Sequence, residues 1–254
     1  MLIKHLFFVL LITFIGDLSP LKSQSYKPIY VIVHGAWGGG WAFKKVDSLL
    51  TEKGCIVYRP TLTGQGEKVH LASKNIGLEV HINDVLNMIL YEDIKDIVLV
   101  GHSYGGMVVT GVADRVPKRI KRLIYLDAFV PENGESASDF WGQGNNNIDR
   151  QAEDGFLIPR WVPEGKSAPK DVPHSLKTLT DHIVLTNSAR DDIVTSYILT
   201  VEKGKSQYED GFAYHAKRAE KKGWSVTVFE ADHNPQWSSP EALVELLWQE
   251  ISKN

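Results

Sequence analysis

Cysteine is almost absent from this chain. Cys55 is the single cysteine among 254 residues, which excludes an intramolecular disulfide framework and any cysteine-based zinc site. It lies in Cys55-Ile56-Val57-Tyr58, a strand-like run where a buried, inert thiol is expected. A strong charge of one sign is absent too. Basic residues number 28 against 31 acidic ones, for a net charge of -3. That balance gives no electrostatic reason to expect nucleic acid or acidic membrane partners. The basic pairs Lys118-Arg119, Lys121-Arg122 and Lys221-Lys222 are short and read as solvated faces. No H-E-x-x-H or EF-hand pattern occurs, so no metal is implied, and no G-x-G-x-x-G stands at dinucleotide-binding spacing. Neither an internal repeat nor a low-complexity tract is present.

The N-terminal apolar run, Leu6 to Ile15, is too short to cross a bilayer, which takes about 20 residues. Lys4 and His5 precede it, and polar Ser19 to Gln24 follows. That order suits the core of a signal peptide. Residues 1–24 are therefore read as a targeting segment cleaved after Ser23 or close by. The mature chain is expected to be exported, periplasmic or extracellular, with no stable membrane insertion. An uncleaved N-terminal anchor is the alternative. Export also fits a chain with almost no cysteine to oxidise.

Behind that segment, 25–254 reads as one domain. A strand-like Pro28 to Val33 leads to His34-Gly35-Ala36-Trp37-Gly38-Gly39-Gly40-Trp41. A helix follows with Val46, Leu49 and Leu50 on one face and Gly54 at its end. Strand Cys55 to Arg59, a helix between Leu78 and Leu90, strand Ile97 to Val100, another helix and strand Leu123 to Leu126 come next. This alternation predicts an α/β architecture with a mostly parallel sheet covered on both faces. From about 131 to 192 the rhythm breaks. That stretch is rich in Pro, Gly and Asn, yet it holds Phe140, Trp141, Phe156 and Trp161, too many aromatics for a disordered linker. It reads as a cap inserted into a core of 25–130 and 193–254. Strand Val194 to Thr200, a helix from about Glu209 to Lys222, strand Trp224 to Phe229 and a last helix opening at Pro240 complete the core.

The chemistry concentrates at Gly101-His102-Ser103-Tyr104-Gly105. Strand, G-x-S-x-G and helix make a nucleophile elbow, in which a tight turn lifts the serine hydroxyl out of the sheet edge. Gly101 and Gly105 remove the Cβ atoms that would collide across that turn. A serine hydroxyl is a weak nucleophile and needs a base, an orienter for the base and donors for the oxyanion. His233, in the loop after the last strand, is the candidate base. The other histidines are placed in the leader (His5), on a helix surface (His215), or in loops, the second helix or the cap (His70, His81, His174, His182). His102 is better placed to line the pocket than to act as base. Two acids compete. Asp127 ends a strand in an apolar run, where a carboxylate is costly to bury unless paired. Glu202 follows the later strand, the commoner position, but Lys203-Gly204-Lys205-Ser206 after it reads as solvated loop. Asp127 is favoured and Glu202 kept as the alternative. Asp191 and Asp192 precede a parallel strand, at the sheet end away from Ser103. The oxyanion donors expected are the backbone N–H groups of Tyr104 and Ala36. Gly35, Trp37, His102, Trp141 and Trp161 are candidate pocket residues.

These residues together resemble the α/β-hydrolase branch of plant methyl-ester esterases, plant hydroxynitrile lyases and EstC-like bacterial esterases. His34-Gly35-Ala36, Gly39-Gly40-Trp41, Gly101 to Gly106 and Asp232-His233 carry the likeness, which spans essentially the whole mature chain. Thr61-Leu62-Thr63-Gly64 with Gly66-Glu67, and Tyr125-Leu126-Asp127-Ala128-Phe129, look more like the bacterial members. The resemblance implies a six-stranded, mostly parallel core, a small cap over an apolar pocket, and no cofactor. It also implies an acid at the Asp127 position in some bacterial members and at the Glu202 position in plant ones. Lyases of this branch carry Thr and Lys where this chain has Gly35 and Asn234. The reading is a serine carboxylesterase acting on a small-molecule, small or medium apolar ester. A lactone hydrolase or a hydroxynitrile or C–C lyase is the alternative, and a non-catalytic ligand-binding protein the second. The acyl and alcohol groups and the oligomeric state are not legible.

Overall fold

The computed structural model describes residues 27–140 and 148–252. The expected leader and Trp141 lie outside the described residues. Six parallel strands form the central sheet: β1 (Ile29–Val33), β2 (Ile56–Tyr58), β3 (Ile97–His102), β4 (Ile120–Leu126), β8 (Val194–Val201) and β9 (Ser225–Glu230). Their order across the sheet is β2-β1-β3-β4-β8-β9. Between β4 and β8 the chain makes a small antiparallel sheet of β5 (Ala152–Glu153), β6 (Phe156–Leu157) and β7 (His174–Ser175), followed by the short helix α4 (Lys177–Thr180). This is the α/β-hydrolase architecture with a small insertion.

Strand alternation sets the two layers. On β1, Val31 and Val33 face a cluster that includes Leu78, Ile82 and Val85 of α2 (Leu78–Tyr91) and Met107 and Val108 of α3 (Gly105–Arg115). Ala216 and Ala219 of α5 (Ala213–Lys221) join the same cluster. Tyr30 and Ile32 face the opposite layer, where α1 (Lys44–Glu52) supplies Val46 and Leu50, and α6 (Pro240–Ser252) supplies Leu243 and Leu247. The Tyr30 hydroxyl donates to the Leu247 carbonyl at 2.9 Å, so a polar tip buried in this layer is satisfied. Ile97 to Val100 of β3 and Leu123 to Leu126 of β4 read as unbroken apolar runs because both of their faces are covered.

Element limits depart from expectation where local turns intervene. Helix α5 begins at Ala213 rather than near Glu209, because Asp210 accepts the Phe212 N–H at 2.8 Å and closes a turn first. The two ends of the cap are tied to each other by reciprocal backbone bonds between the 134–135 segment and Ile183. Arg218 of α5 clamps the cap from below, donating to the Val130 carbonyl and pairing with Glu135. Among the described residues no helix is long and apolar enough to cross a membrane.

Candidate active site

Ser103 stands between β3 and α3 with φ of 53°, the left-handed conformation of a tight elbow. The glycines explain why the turn closes. A Cβ on Gly101 would lie 2.8 Å from the Gly105 carbonyl oxygen, and one on Gly105 would lie 2.6 Å from the Val33 carbonyl oxygen. The Val33 oxygen belongs to β1 and the Gly105 oxygen to the first turn of α3, so neither can move without disturbing the sheet or the helix.

Ser103 Oγ lies 3.0 Å from His233 Nε2, and His233 Nδ1 lies 2.6 Å from Asp127 Oδ2. Asp127 is 1 % exposed. Its second oxygen, Oδ1, accepts the Thr200 backbone N–H at 3.1 Å, so the buried carboxylate has a partner on each oxygen. With the carboxylate accepting from Nδ1–H, Nε2 is left free to accept from the serine hydroxyl. The stretch after β4 is locked around this carboxylate. Asp127 donates its N–H to the Ile198 carbonyl, and Phe129 donates its N–H to the Ser103 carbonyl at 3.2 Å. The Tyr197 hydroxyl bonds both the N–H and the C=O of Ala128. Phe212 stacks on the His233 ring, 5.0 Å between centroids and 7° from parallel.

Glu202 is not part of this chain of hydrogen bonds. Its carboxylate pairs with Lys205 at 2.9 Å on an exposed turn. Asp191 and Asp192 close a 3-10 turn just ahead of β8, at the sheet end away from Ser103. His215 departs from expectation: it is 2 % exposed rather than on a helix surface. Its Nδ1 accepts the Val130 N–H, and Phe129, Phe140 and Phe212 surround its ring.

Ala36 and Tyr104 flank Ser103 from two loops, and among the described residues neither backbone N–H has a protein acceptor. The peptide carrying the Ala36 N–H is held from its other end. His34 Nδ1–H donates to the Gly35 carbonyl at 2.7 Å, while its Nε2 accepts the Leu62 N–H. The Tyr104 hydroxyl donates to His81 Nδ1 at 3.0 Å, and His81 Nε2–H donates to the Thr63 carbonyl. Burial pushes His34 and His81 down to about 4, so both rings stay neutral and keep these one-way bonds. His102 commits its Nε2–H to the His233 carbonyl at 2.7 Å. Burial, with His233 beside it, pushes His102 down to about 3.

Gly35, Trp37, His102 and Trp161 line one cavity of about 640 Å³ that opens over Ser103 and His233. Trp41, Phe43 and Trp237 add further aromatic wall. Sequence reading missed these last three, and also the buried trio His34, His81 and His174. Trp41 lies in the glycine-rich loop, so its aromatic character was the available signal. Among the described residues no cluster of three or more His, Cys, Asp or Glu side chains could hold a metal ion.

The sequence profile described as "Alpha/beta hydrolase family" matches residues 30–246. The chain belongs to that family. This hydrolase is 36 % identical to a carbendazim hydrolyzing esterase from Nocardioides sp. (strain SG-4G), over 86 % of this chain and 97 % of that one. It is 29 % identical to salicylic acid-binding protein 2 of Nicotiana tabacum over 54 % of this chain and 52 % of that protein. In structure it superposes on an extracellular α/β-hydrolase from a Paenibacillus species with a TM-score of 0.73, at 23 % identity, covering 87 % of this chain and 98 % of that one. With its esterase relatives, it is a carboxylic ester hydrolase.

Proposed function

We propose that this hydrolase is a serine carboxylesterase with Ser103 as nucleophile, His233 as general base and Asp127 as the orienting acid. One observation carries the reading. An unbroken hydrogen-bond chain runs from a buried, doubly bonded carboxylate through His233 to a strained serine at the floor of a cavity. His233 takes the hydroxyl proton as Ser103 Oγ bonds the ester carbonyl carbon. The negative charge moves to the carbonyl oxygen, where the Ala36 and Tyr104 N–H groups meet it. Collapse of this intermediate breaks the bond to the alcohol, which leaves with the proton from His233. Water, activated by the same ring, then hydrolyses the acyl-enzyme.

The aromatic walls support a small or medium substrate with an apolar portion. Carbendazim joins the test panel because the Nocardioides relative hydrolyses it. A hydroxynitrile lyase is disfavoured: Asn234 follows His233, and its Oδ1 is already taken by the Gln236 amide. Export, with residues 1–24 removed, accompanies this reading.

The test is hydrolysis of p-nitrophenyl acetate, p-nitrophenyl butyrate and carbendazim by the mature protein, with labelling by a fluorophosphonate. Expected is turnover of at least one ester, with one phosphonyl adduct per chain at Ser103. Ser103→Ala is expected to lose both. A Ser103→Ala protein as active as wild type would sink the proposal.

A further inference from the structure

His174 belongs to the cap, opening β7, yet its contacts run to the loops on both sides of Ser103. It is fully buried. Its Nδ1 accepts the Trp37 backbone N–H at 3.3 Å. Its Nε2–H donates to Thr178 Oγ1 at 2.7 Å, because the Thr178 hydroxyl proton is already given to the Ser175 carbonyl. The tautomer is thereby set, with the lone pair on Nδ1 aimed at Trp37. Burial and the nearby His81 and His34 hold the ring neutral, so that lone pair persists.

Trp37 follows Ala36, and the Ala36–Trp37 peptide is gripped at both ends. His174 takes its N–H, and Gly38 donates to its carbonyl at 2.8 Å. Trp37 sits at φ of 63°, a costly conformation for a bulky residue that persists only under such restraint. Two more cap bonds hold it: Val172 N–H to the Trp37 carbonyl, and the Trp37 indole N–H to the Leu157 carbonyl. On its other side the His174 ring stands edge-on to Tyr104, 5.1 Å between centroids. One imidazole thus touches the residue after Ala36 and the side chain of Tyr104.

We propose that His174 is a positioning residue for the oxyanion hole, bracing both the Ala36 and the Tyr104 N–H groups from the cap. It touches no substrate. This rests on the esterase reading above and deepens it: the insertion contributes to the chemical step as well as to the pocket. An oxyanion donor displaced by a fraction of an ångström loses transition-state stabilisation while substrate binding is untouched.

The test compares His174→Asn, which keeps an acceptor at the δ position, with His174→Leu, which removes it. Readouts are kcat and KM on p-nitrophenyl butyrate and inhibition by an alkyl trifluoromethyl ketone, whose adduct carries the oxyanion. Expected for His174→Leu is a kcat lower by about 10- to 100-fold with KM within twofold, and inhibition weakened by the same factor as kcat. His174→Asn is expected to recover at least half of the lost transition-state stabilisation. Should His174→Leu fail to fold, Thr178→Val decides. It strips the acceptor from Nε2–H and is expected to lower kcat and ketone affinity together by about three- to tenfold. A leucine variant, or Thr178→Val in its place, with unchanged kcat overturns the proposal. So does a loss confined to KM, or an asparagine variant as poor as leucine. Absence of wild-type turnover, or turnover that survives Ser103→Ala, overturns the esterase reading itself and the proposal with it.

Discussion

Lowering the pH from 7 to 5 is expected to strip this hydrolase of most of its stability. Five histidines are buried and uncharged: His34, His81, His102, His174 and His215. Desolvation is the leading cause in each case. It pushes His34 and His81 down to about 4, and His102 and His215 down to about 3. In the unfolded chain the same groups titrate near 6.5. The unfolded state therefore binds the extra protons. Stability is full above pH 6.5 and is lost progressively as pH falls from 6.5 towards 4. At pH 5 His34, His81, His102 and His215 each cost about 2 kcal/mol relative to neutral pH, from the difference in proton uptake. The four acting independently would cost about 8 kcal/mol, comparable to the whole stability of an ordinary domain, about 5–15 kcal/mol, and His174 acts in the same direction. The assay is urea unfolding followed by tryptophan fluorescence at pH 7.0, 6.0 and 5.0. The urea midpoint is expected to fall at each step. A midpoint that holds steady or rises between pH 7 and 5 would refute the reasoning.

Further outcomes follow from single contacts. Tyr197→Phe leaves the Ala128 N–H and C=O without their buried partner beside Asp127. It is expected to cost about 1–3 kcal/mol in urea unfolding and to lower kcat about tenfold as Asp127 loosens. Gly35→Thr places a Cβ 3.0 Å from Ser103 Cβ and 3.4 Å from its Oγ. Its kcat/KM on p-nitrophenyl butyrate is expected to fall at least about tenfold, with the melting temperature little changed; wild-type rates would contradict the packing argument.

Much of this fold was legible because periodicity is a local property. The apolar run Ile29 to Val33 and the helical spacing of Val85 and Ile89 are written in adjacent residues, whereas Val80, read into the same stripe, is 39 % exposed. The elbow was legible for a steric reason, since only glycine fits at positions 101 and 105. Asp127 was favoured over Glu202 from the cost of burying a carboxylate in an apolar run, and the close pairs each makes, with His233 and with Lys205, bear on that same choice. What escaped sequence reading depends on contacts between distant segments. His174 meets Trp37 across 137 positions, and His215 meets Val130 across 85. No window of residues contains both partners. His215 was misread as exposed because its helix is otherwise rich in lysine and arginine, and the aromatic cage that buries it comes from the distant Phe129 and Phe140 together with Phe212 at the cap of its own helix.

Hydrolysis is assigned to a relay from the buried Asp127 through His233 to Ser103. This assignment is tested most directly by measuring kcat for p-nitrophenyl acetate with Asp127→Asn beside Glu202→Gln. An amide at position 127 cannot hold the tautomer that leaves Nε2 free, so kcat should fall by about 10³- to 10⁴-fold. Glu202→Gln, altering an exposed carboxylate paired with Lys205, should stay within twofold of wild type. The opposite pattern, a silent Asp127→Asn and an inactive Glu202→Gln, would contradict the account.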